Sequence, residues 1–444
     1  MIELVLAAEE SARLQARLIG GDTERCAIIY ATQVSRADGT TRLLTREVQF
    51  AEDADYTRRG HLEAELKPEV VAWAAKRAKR ENLALVFVHS HPGSDPPFFS
   101  SLDSRGEKHL EEFLLKRHPA FAHAAMVVSA GGLRARRLGT EKEIRVISIG
   151  SNREVLFDPV LPEPVALEQF DRQIRAFGKA GQEALQRLRV AIVGLGGTGS
   201  LISHQLVHLG VRDFILIDPD IVEVTNLNRV ANATLSDIGG LKVEVAARYI
   251  RNFSKEASVK CVKGDIMMVR TARELLNADL IFACTDSHGS RSILQQVSYQ
   301  YLIPCIDMGV IITVDKGRIS HTYGRVQLLA PGLACLTCGD LLDPNEVRRD
   351  MLSEFERQAD PYIQGVREPA PAVMSLNGTV SSLAVTMFLA VTIGIPMKGR
   401  HLLYNAMLPS LRSARGEAKT DCYVCSRSGS YARGDGWPLF ARES

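Results

Sequence analysis

Residues 89–103 read HSHPGSDPPFFSSLD, with Asp103 twelve positions after His91. At a strand end, side chains two apart point to the same side, so His89 and His91 face one point. With Asp103 they make three nitrogen and oxygen ligands and leave a fourth position for water, the layout of a catalytic rather than a structural zinc. Such an ion lowers the pKa of its water, and the chemistry then needs a separate carboxylate as general base. An isolated H-x-H is more often an incidental surface pair. The preceding apolar run ALVFV, the H-P step and the S-x-x-D tail shift the balance toward metal.

A second set begins at GLGGTGS, residues 194–200, where G-x-G-x-x-G follows the apolar run LRVAIV. Gly194, Gly196, Gly197 and Gly199 let backbone N–H groups and a helix N-terminus approach phosphate. Alone the pattern fits a nicotinamide dinucleotide site as well, and Asp218 stands where such a site keeps its ribose acid. Downstream come Asn226 and Arg229 in NLNR, Lys242, and Asp286 in ACTDS. A dehydrogenase has no need of this cationic and acidic series; attack on a phosphate does, because cations must offset crowded negative charge. The third set is CLTC, Cys335 and Cys338, with CYVC, Cys422 and Cys425. Two such knuckles make a tetrahedral thiolate cage suited to structural zinc. Cys26, Cys261, Cys284 and Cys305 lie outside it, Cys284 and Cys305 in apolar text that reads as packing.

These residues need two frames. The chain has 444 residues, long for one core, with 45% hydrophobic and 24% charged residues. A net charge of +2 points to no nucleic-acid partner. Arg134, Arg136 and Arg137 form a short basic patch that reads as a solvated strand or turn. No basic region precedes the first apolar run, so no secretory leader and a cytoplasmic location are expected. The apolar run 381–396 is short for a membrane span and reads as a buried helix, with no membrane partner.

The first part, 1–150, reads as helix over 8–18, strands over 26–34 and 41–50, and an amphipathic helix over 68–81 opened by Pro68. A buried strand then ends at the histidines, a helix follows the aspartate over 104–117, and AAMVVSAGG with LRARRL makes a strand pair. Residues 151–165, with three prolines, read as a linker. From 166 to 426, strands alternate with helices, which predicts a largely parallel sheet. Residues 427–444 read as a polar, loosely held tail. The fold class is α/β throughout.

The first part resembles the JAB/MPN (JAMM) metalloproteases, which hydrolyse peptide or isopeptide bonds after ubiquitin-like tails. His89, Ser90, His91, Pro92, Ser100 and Asp103 match their motif, with eleven residues rather than the usual ten between His91 and Asp103. The resemblance implies zinc on His89, His91 and Asp103, Glu24 as the base with Glu47 as the fallback, and Ser100 steadying the oxyanion. The second part resembles the adenylating domain of ubiquitin-activating enzymes and their ThiF/MoeB-type bacterial relatives, a Rossmann-like fold with a structural zinc. That implies ATP ribose on Asp218, phosphates facing Asn226, Arg229 and Lys242, and magnesium on Asp286. FDRQIRAFGKAGQEALQRLRV, 170–190, matches the family's entry helix, and Arg172 would reach the partner protomer's nucleotide in a homodimer. NLNR is followed by Val230 where the family has glutamine.

Family members that form a thioester carry a cysteine after the first knuckle, at a place aligned near Arg367. Between Gly339 and Asp421 this chain has none. Ser375 is a conceivable acceptor but reads better as a backbone-bonding serine in an SLNG turn. The reading is a two-headed enzyme that trims a ubiquitin-like protein at its C-terminal glycine and adenylates that terminus with MgATP. Its partners would be a ubiquitin-like or sulfur-carrier protein and a ubiquitin-conjugating-enzyme-like protein. Activation for sulfur transfer, or a binding scaffold with a dead peptidase, are the alternatives.

Overall fold

The computed structural model describes residues 1–93, 95–160, 168–353, 356 and 370–443. They divide into two compact units. The first comprises residues 1–161, 300–302 and 430–438. It is built on strands β1 Ile2–Ala7, β2 Cys26–Ser35, β3 Thr41–Phe50, β4 Tyr56–Arg59, β5 Ala64–Leu66, β6 Ala84–Ser90, β7 Ala124–Ser129, β8 Gly132–Arg137, β9 Arg145–Ile149 and β10 Arg153–Phe157. Eight of them form one mixed sheet in the order β10-β9-β1-β3-β2-β6-β7-β8, and β4 with β5 makes a separate hairpin.

Side chains alternate across this sheet, so each strand serves two cores. Leu4, Ile29, Val86 and Met126 fill one face, where Leu14 and Leu18 of helix Ala8–Leu18 cover them. Tyr30, Leu85, Ala78 and Leu114 fill the other, under helices Pro68–Glu81 and Ser101–Leu115. The helix expected over 104–117 begins earlier, at Ser101, because Ser100 caps it. Asp103 is therefore inside the first turn rather than in a loop before it. The six-residue run IELVLA, read as no element from sequence, is β1 and pairs in parallel with β3 and β9.

Two boundary expectations need correction. Residues 153–157 of the expected linker form β10, antiparallel to β9. Residues 430–438 of the expected loose tail are folded into the first unit. Ala432 is fully buried there and Tyr431 nearly so, which a composition reading of a polar segment misses. Gln300 Nε2 donates to the carbonyls of Gly434 and Trp437 at 2.8 and 2.7 Å, and Tyr301 Oη donates to Asp435 at 3.0 Å. Gly434 seats against Val34 and Thr32 of β2, where a Cβ would lie within 2.6 Å of Val34.

The second unit comprises residues 162–299, 303–429 and 439–444. Its strands are β11 Arg189–Val193, β12 Asp213–Ile217, β13 Ser258–Val262, β14 Leu280–Ala283, β15 Cys305–Asp315, β16 Arg318–Leu329, β17 His401–Asn405 and β18 Ser410–Ser413. Their order is β13-β12-β11-β14-β15-β16-β17-β18. The first five are parallel, and β15 to β18 add antiparallel partners, so the sheet is parallel where the glycine turn lies. These parallel strands are apolar runs such as RVAIV and DFILI, as expected of a sheet buried on both faces. The entry helix Asp171–Gln186 is broken at Phe177 and Gly178, where Gly178 takes φ +77°.

The apolar run near 381–396 belongs to helix Met374–Ile393, which also absorbs the expected SLNG turn and Ser375. Its mean hydropathy of 1.6 and length would suffice to cross a membrane by composition alone. Val380, Ala384, Phe388 and Val391 are buried, and the helix packs on β15, β16 and helix Gly197–His208.

Candidate functional site

In the first unit, His89 lies in β6 and His91 just past its end, anchored by its N–H to the Val128 carbonyl at 2.9 Å. Asp103 is at the third position of the next helix. Its N–H donates to Ser100 Oγ at 3.1 Å, and its Oδ2 accepts the Ser100 N–H at 2.6 Å. The S-x-x-D spacing is thus a reciprocal cap, which also fixes where the carboxylate points. Ser100 Oγ spends an acceptor position on this cap, and its side chain also hydrogen-bonds the Asp103 carboxylate.

The three ligands converge. His89 Nε2 is 3.2 Å from His91 Nε2 and 3.4 Å from Asp103 Oδ1, and His91 Nε2 is 3.8 Å from Asp103 Oδ2. Zinc bonds of about 2.0–2.1 Å in a tetrahedron put ligand atoms about 3.3 Å apart, so the group fits that ion. Glu24 comes from the segment before β2, and its Oε1 stands 3.7 Å from His91 Nε2. The Ser90 hydroxyl, between the histidines, accepts the Arg25 N–H at 3.0 Å and so ties the Glu24 segment to β6. Nothing in the H-S-H spacing alone announces this role for Ser90.

Electrostatics separates the acids. Burial pushes Glu24 up to about 7, partly offset by His89, so it can take and return a proton near neutrality. Burial also opposes ionisation of Asp103, but the hydrogen bond and charge of His89 and the Ser100 cap outweigh it, holding this carboxyl well below its usual range. Burial, with His89 beside it, lowers His91 and favours the neutral imidazole that binds metal. The alternative base, Glu47, is elsewhere: Arg77 grips both its oxygens at 3.0 and 2.6 Å.

The second unit holds two groups. Cys335 and Cys422 approach to 3.6 Å between sulfurs, and Cys338 and Cys425 to 3.5 Å. Zinc–thiolate bonds of about 2.3 Å predict sulfur separations of about 3.8 Å, so the four sulfurs match a tetrahedral cage. N–H groups of Cys338 and Lys419 donate to Cys335 Sγ and Cys338 Sγ at 3.4 and 3.3 Å. Burial pushes the Cys422 thiol up to about 11, a cost that a bound cation would reverse.

The glycine turn links β11 to helix Gly197–His208, with Gly196 at the cap. Gly194 takes φ +88°, and a Cβ there would lie 2.7 Å from the Cys284 carbonyl oxygen. A Cβ at Gly199 would lie 1.8 Å from the Gly194 carbonyl oxygen, so only glycine lets the helix pack on the turn. Asp218, at the end of β12, accepts the N–H groups of Leu195 and Asp220 at 2.5 and 2.8 Å. It therefore fastens the turn, and a lone pair on each oxygen remains for a hydroxyl donor. Burial raises its carboxyl above the ordinary value.

The other residues of this set fall around the turn with one exception. Arg229 stacks its Cβ over Gly197 and donates to the Thr225 carbonyl at 2.6 Å. Asn226 Oδ1 accepts the Glu223 N–H at 3.2 Å. Lys242 opens helix Lys242–Phe253 and is paired with Asp220 at 2.7 Å. Asp286 is exposed beyond β14, directly after Thr285, whose methyl faces Gly194. Arg172 is the exception. Its neighbour Gln173 donates to the His208 carbonyl at 2.8 Å, at the far end of helix Gly197–His208 from the turn. Twelve residues at about 1.5 Å each separate the two ends, too far for Arg172 to serve its own turn.

Two contributors escaped the sequence reading. Asn377 Nδ2 would meet a Cβ on Gly197 at 2.2 Å, and Ser381 Oγ donates to the Thr198 carbonyl at 3.2 Å. Both come from helix Met374–Ile393, where a polar pair at i and i+4 in an apolar helix is the signal that marks them. Burial pushes the thiols of Cys284 and Cys305 far above the ordinary value, in keeping with a packing role. Position 367 lies outside the described residues.

A parallel sheet with a glycine turn at the end of β11, together with a four-cysteine cluster in the same unit, is the architecture of a Rossmann-like domain with a zinc site. Comparison with known families agrees: the ThiF family model matches residues 170–424, and the chain belongs to the ThiF family. Its second unit is a ThiF/MoeB-type, ATP-dependent adenylyltransferase. The chain is similar to the SAMP-activating enzyme E1 of Haloferax volcanii, 27% identical over 267 residues, covering 59% of this chain and 90% of that one. It is also similar to molybdopterin-synthase adenylyltransferase of Escherichia coli, 28% identical over 262 residues, covering 58% and 96%. Among solved structures, E. coli MccB with MccA aligns at a TM-score of 0.48 and 18% identity, covering 59% of this chain and 75% of that one. None of these three matches extends to much more than half of this chain.

Proposed function

We propose that the chain joins two chemistries on one substrate class: adenylation of the C-terminal glycine of a ubiquitin-like or sulfur-carrier protein, and hydrolysis of a peptide or isopeptide bond after such a terminus. The adenylation half rests on the ThiF family match, on relatives named a SAMP-activating enzyme E1 and a molybdopterin-synthase adenylyltransferase, and on Arg229 beside the glycine turn. There the carrier's carboxylate attacks the α-phosphorus of ATP and pyrophosphate leaves. Asn226, Arg229 and Lys242 face the phosphates, Asp218 takes the ribose, and Asp286 would hold magnesium. Arg172 supports a homodimer, because it lies a helix length from its own chain's turn.

The hydrolytic half is carried by one observation: His89, His91 and Asp103 converge at zinc-ligand spacing with the buried Glu24 beside them. This unit then acts as a JAB/MPN-type metallopeptidase. A zinc ion held there would supply Lewis acidity and a water acidified toward neutral pH. Glu24 takes the proton of the attacking water and returns it to the departing amine. Ser100, by its match to the motif, would steady the charge that develops on the carbonyl oxygen. Activation for sulfur transfer is the second reading, favoured by the absence of cysteine from Gly339 to Asp421.

The test uses the whole chain with ATP, labelled pyrophosphate and a candidate carrier ending in glycine. Exchange into ATP that requires the terminal glycine is expected, and Gly199→Ala should remove it by at least about 100-fold, because its Cβ collides with the turn. A carrier extended past its glycine should be trimmed by the parent chain and left intact by His89→Ala. Exchange without any trimming, across carriers that are themselves activated, would leave only the adenylating half standing.

A further inference from the structure

Of the basic patch at 134–137, Arg134 and Arg137 are exposed, as a solvated strand predicts, and Arg136 is not. The Arg136 side chain is 3% exposed, on β8, the sheet's edge strand. Its Nε donates to Glu107 Oε2 at 3.0 Å, and its Nη2 donates to Glu107 Oε1 at 2.9 Å and to Ser104 Oγ at 3.1 Å. Its Nη1 donates to Glu141 Oε2 at 3.0 Å. The guanidinium also lies over the Phe99 ring, 3.9 Å from its centroid. That ring meets His89 edge-on at 6.3 Å.

Each contact leads toward the ligand group. Glu107 is four residues after Asp103, one helical turn along the same face. Ser104 Oγ accepts from Arg136 and donates to the Ser100 carbonyl at 3.1 Å, so the cap that aims Asp103 is tied back to Arg136. Phe99 connects the same guanidinium to the other ligand source, His89. One buried cation therefore braces the start of the Asp103 helix and the loop beside the histidines. Arginine's rigid five-donor fork suits this, where a lysine's single ammonium reaches only some of these partners. Arg136 and Phe99 also line a cavity of about 410 Å³, with Phe98, Arg134, Glu141 and Glu143 on its other walls.

We infer that Arg136 is a positioning residue for the His89–His91–Asp103 metal site, holding Asp103 and His89 at mutual ligand distance through Ser104, Glu107 and Phe99. The inference rests on the metal reading of that site. Partners that orient ligands from outside typically change metal affinity by about 10–100-fold when removed.

The experiment titrates Co²⁺ into the full-length chain and its variants, taking the site's signal as the difference from His89→Ala so that the cysteine cage cancels. Arg136→Lys should weaken cobalt binding at that site by about 10–100-fold and alter its visible spectrum. Ser104→Ala, which keeps the buried ion pair, should weaken it by about 10-fold, the low end of that range. If Arg136→Lys does not fold, the Ser104→Ala result decides. Unchanged affinity and spectrum in the variant that folds, even with a lowered melting temperature, would assign Arg136 to stability alone and overturn the inference. A parent chain with no cobalt signal lost on His89→Ala would overturn the metal reading itself, and the inference with it.

Discussion

The two ligand groups found among the described residues are built on opposite plans. Four sulfurs in the second unit close on one another, with backbone N–H groups donating to two of them and no oxygen or nitrogen ligand in the set. In the first unit two imidazoles and one carboxylate converge, each partly open, with a buried acid at one side. A closed thiolate cage leaves no position for a reactant, so its energy goes into holding chain segments together. A three-ligand site with an acid beside it gives up that closure and keeps a place for chemistry. Under the proposed function, the difference assigns stability to one group and reactivity to the other.

Removing one ligand from each group should separate these roles most sharply. Structural zinc sites in small peptides are worth about 10–16 kcal/mol of apparent binding free energy. Cys422→Ser should therefore cost one zinc per chain, lower the melting temperature strongly and abolish pyrophosphate exchange. His89→Ala should cost a different zinc with little change in melting temperature; elemental analysis and calorimetry read both. Equal thermal losses from the two variants would erase the contrast.

Next in size is the buried acid. Glu24→Gln should lower carrier trimming by about 10²–10⁴ while metal content and pyrophosphate exchange stay at parental levels. Loss of metal in this variant would make Glu24 a ligand rather than a base. A smaller and slower effect concerns accessibility: a chelator should stop trimming well before it touches exchange, since the cysteines are mostly buried and the histidines are not. Simultaneous loss would place both activities under one ion. The smallest effect belongs to Glu47→Gln. That half-exposed pair with Arg77 should contribute under about 1 kcal/mol, and trimming should not change.

What was legible in the sequence was what is local. The helix Pro68–Glu81 announces itself through Pro68 and its apolar spacing, and HSH at the end of an apolar run already places two ligands on one side. The glycine turn and both cysteine knuckles are likewise short and self-contained. Residues whose meaning depends on distant partners were hidden. Arg136 looks like any surface arginine until Glu107 and Ser104, some thirty positions away, close around it. Asn377 and Ser381 sit in an apolar helix nearly 180 residues after the turn they support. Strand β1 is six residues, five of them apolar, too short for periodicity to distinguish strand from helix. The segment 430–438 was misjudged because its small and polar composition conceals Tyr431 and Ala432, which are buried once the segment meets β2, Gln300 and Tyr301.

That returning segment has a consequence for how the chain is made. Translation at about 5–20 residues per second leaves tens of seconds between the emergence of residue 161 and that of residue 430. Throughout that interval the first unit waits on the ribosome with Val34 and Thr32 uncovered by Gly434. A nascent chain arrested before the last strap appears should accordingly be cleaved readily by added protease within the first 160 residues, and a released one should resist.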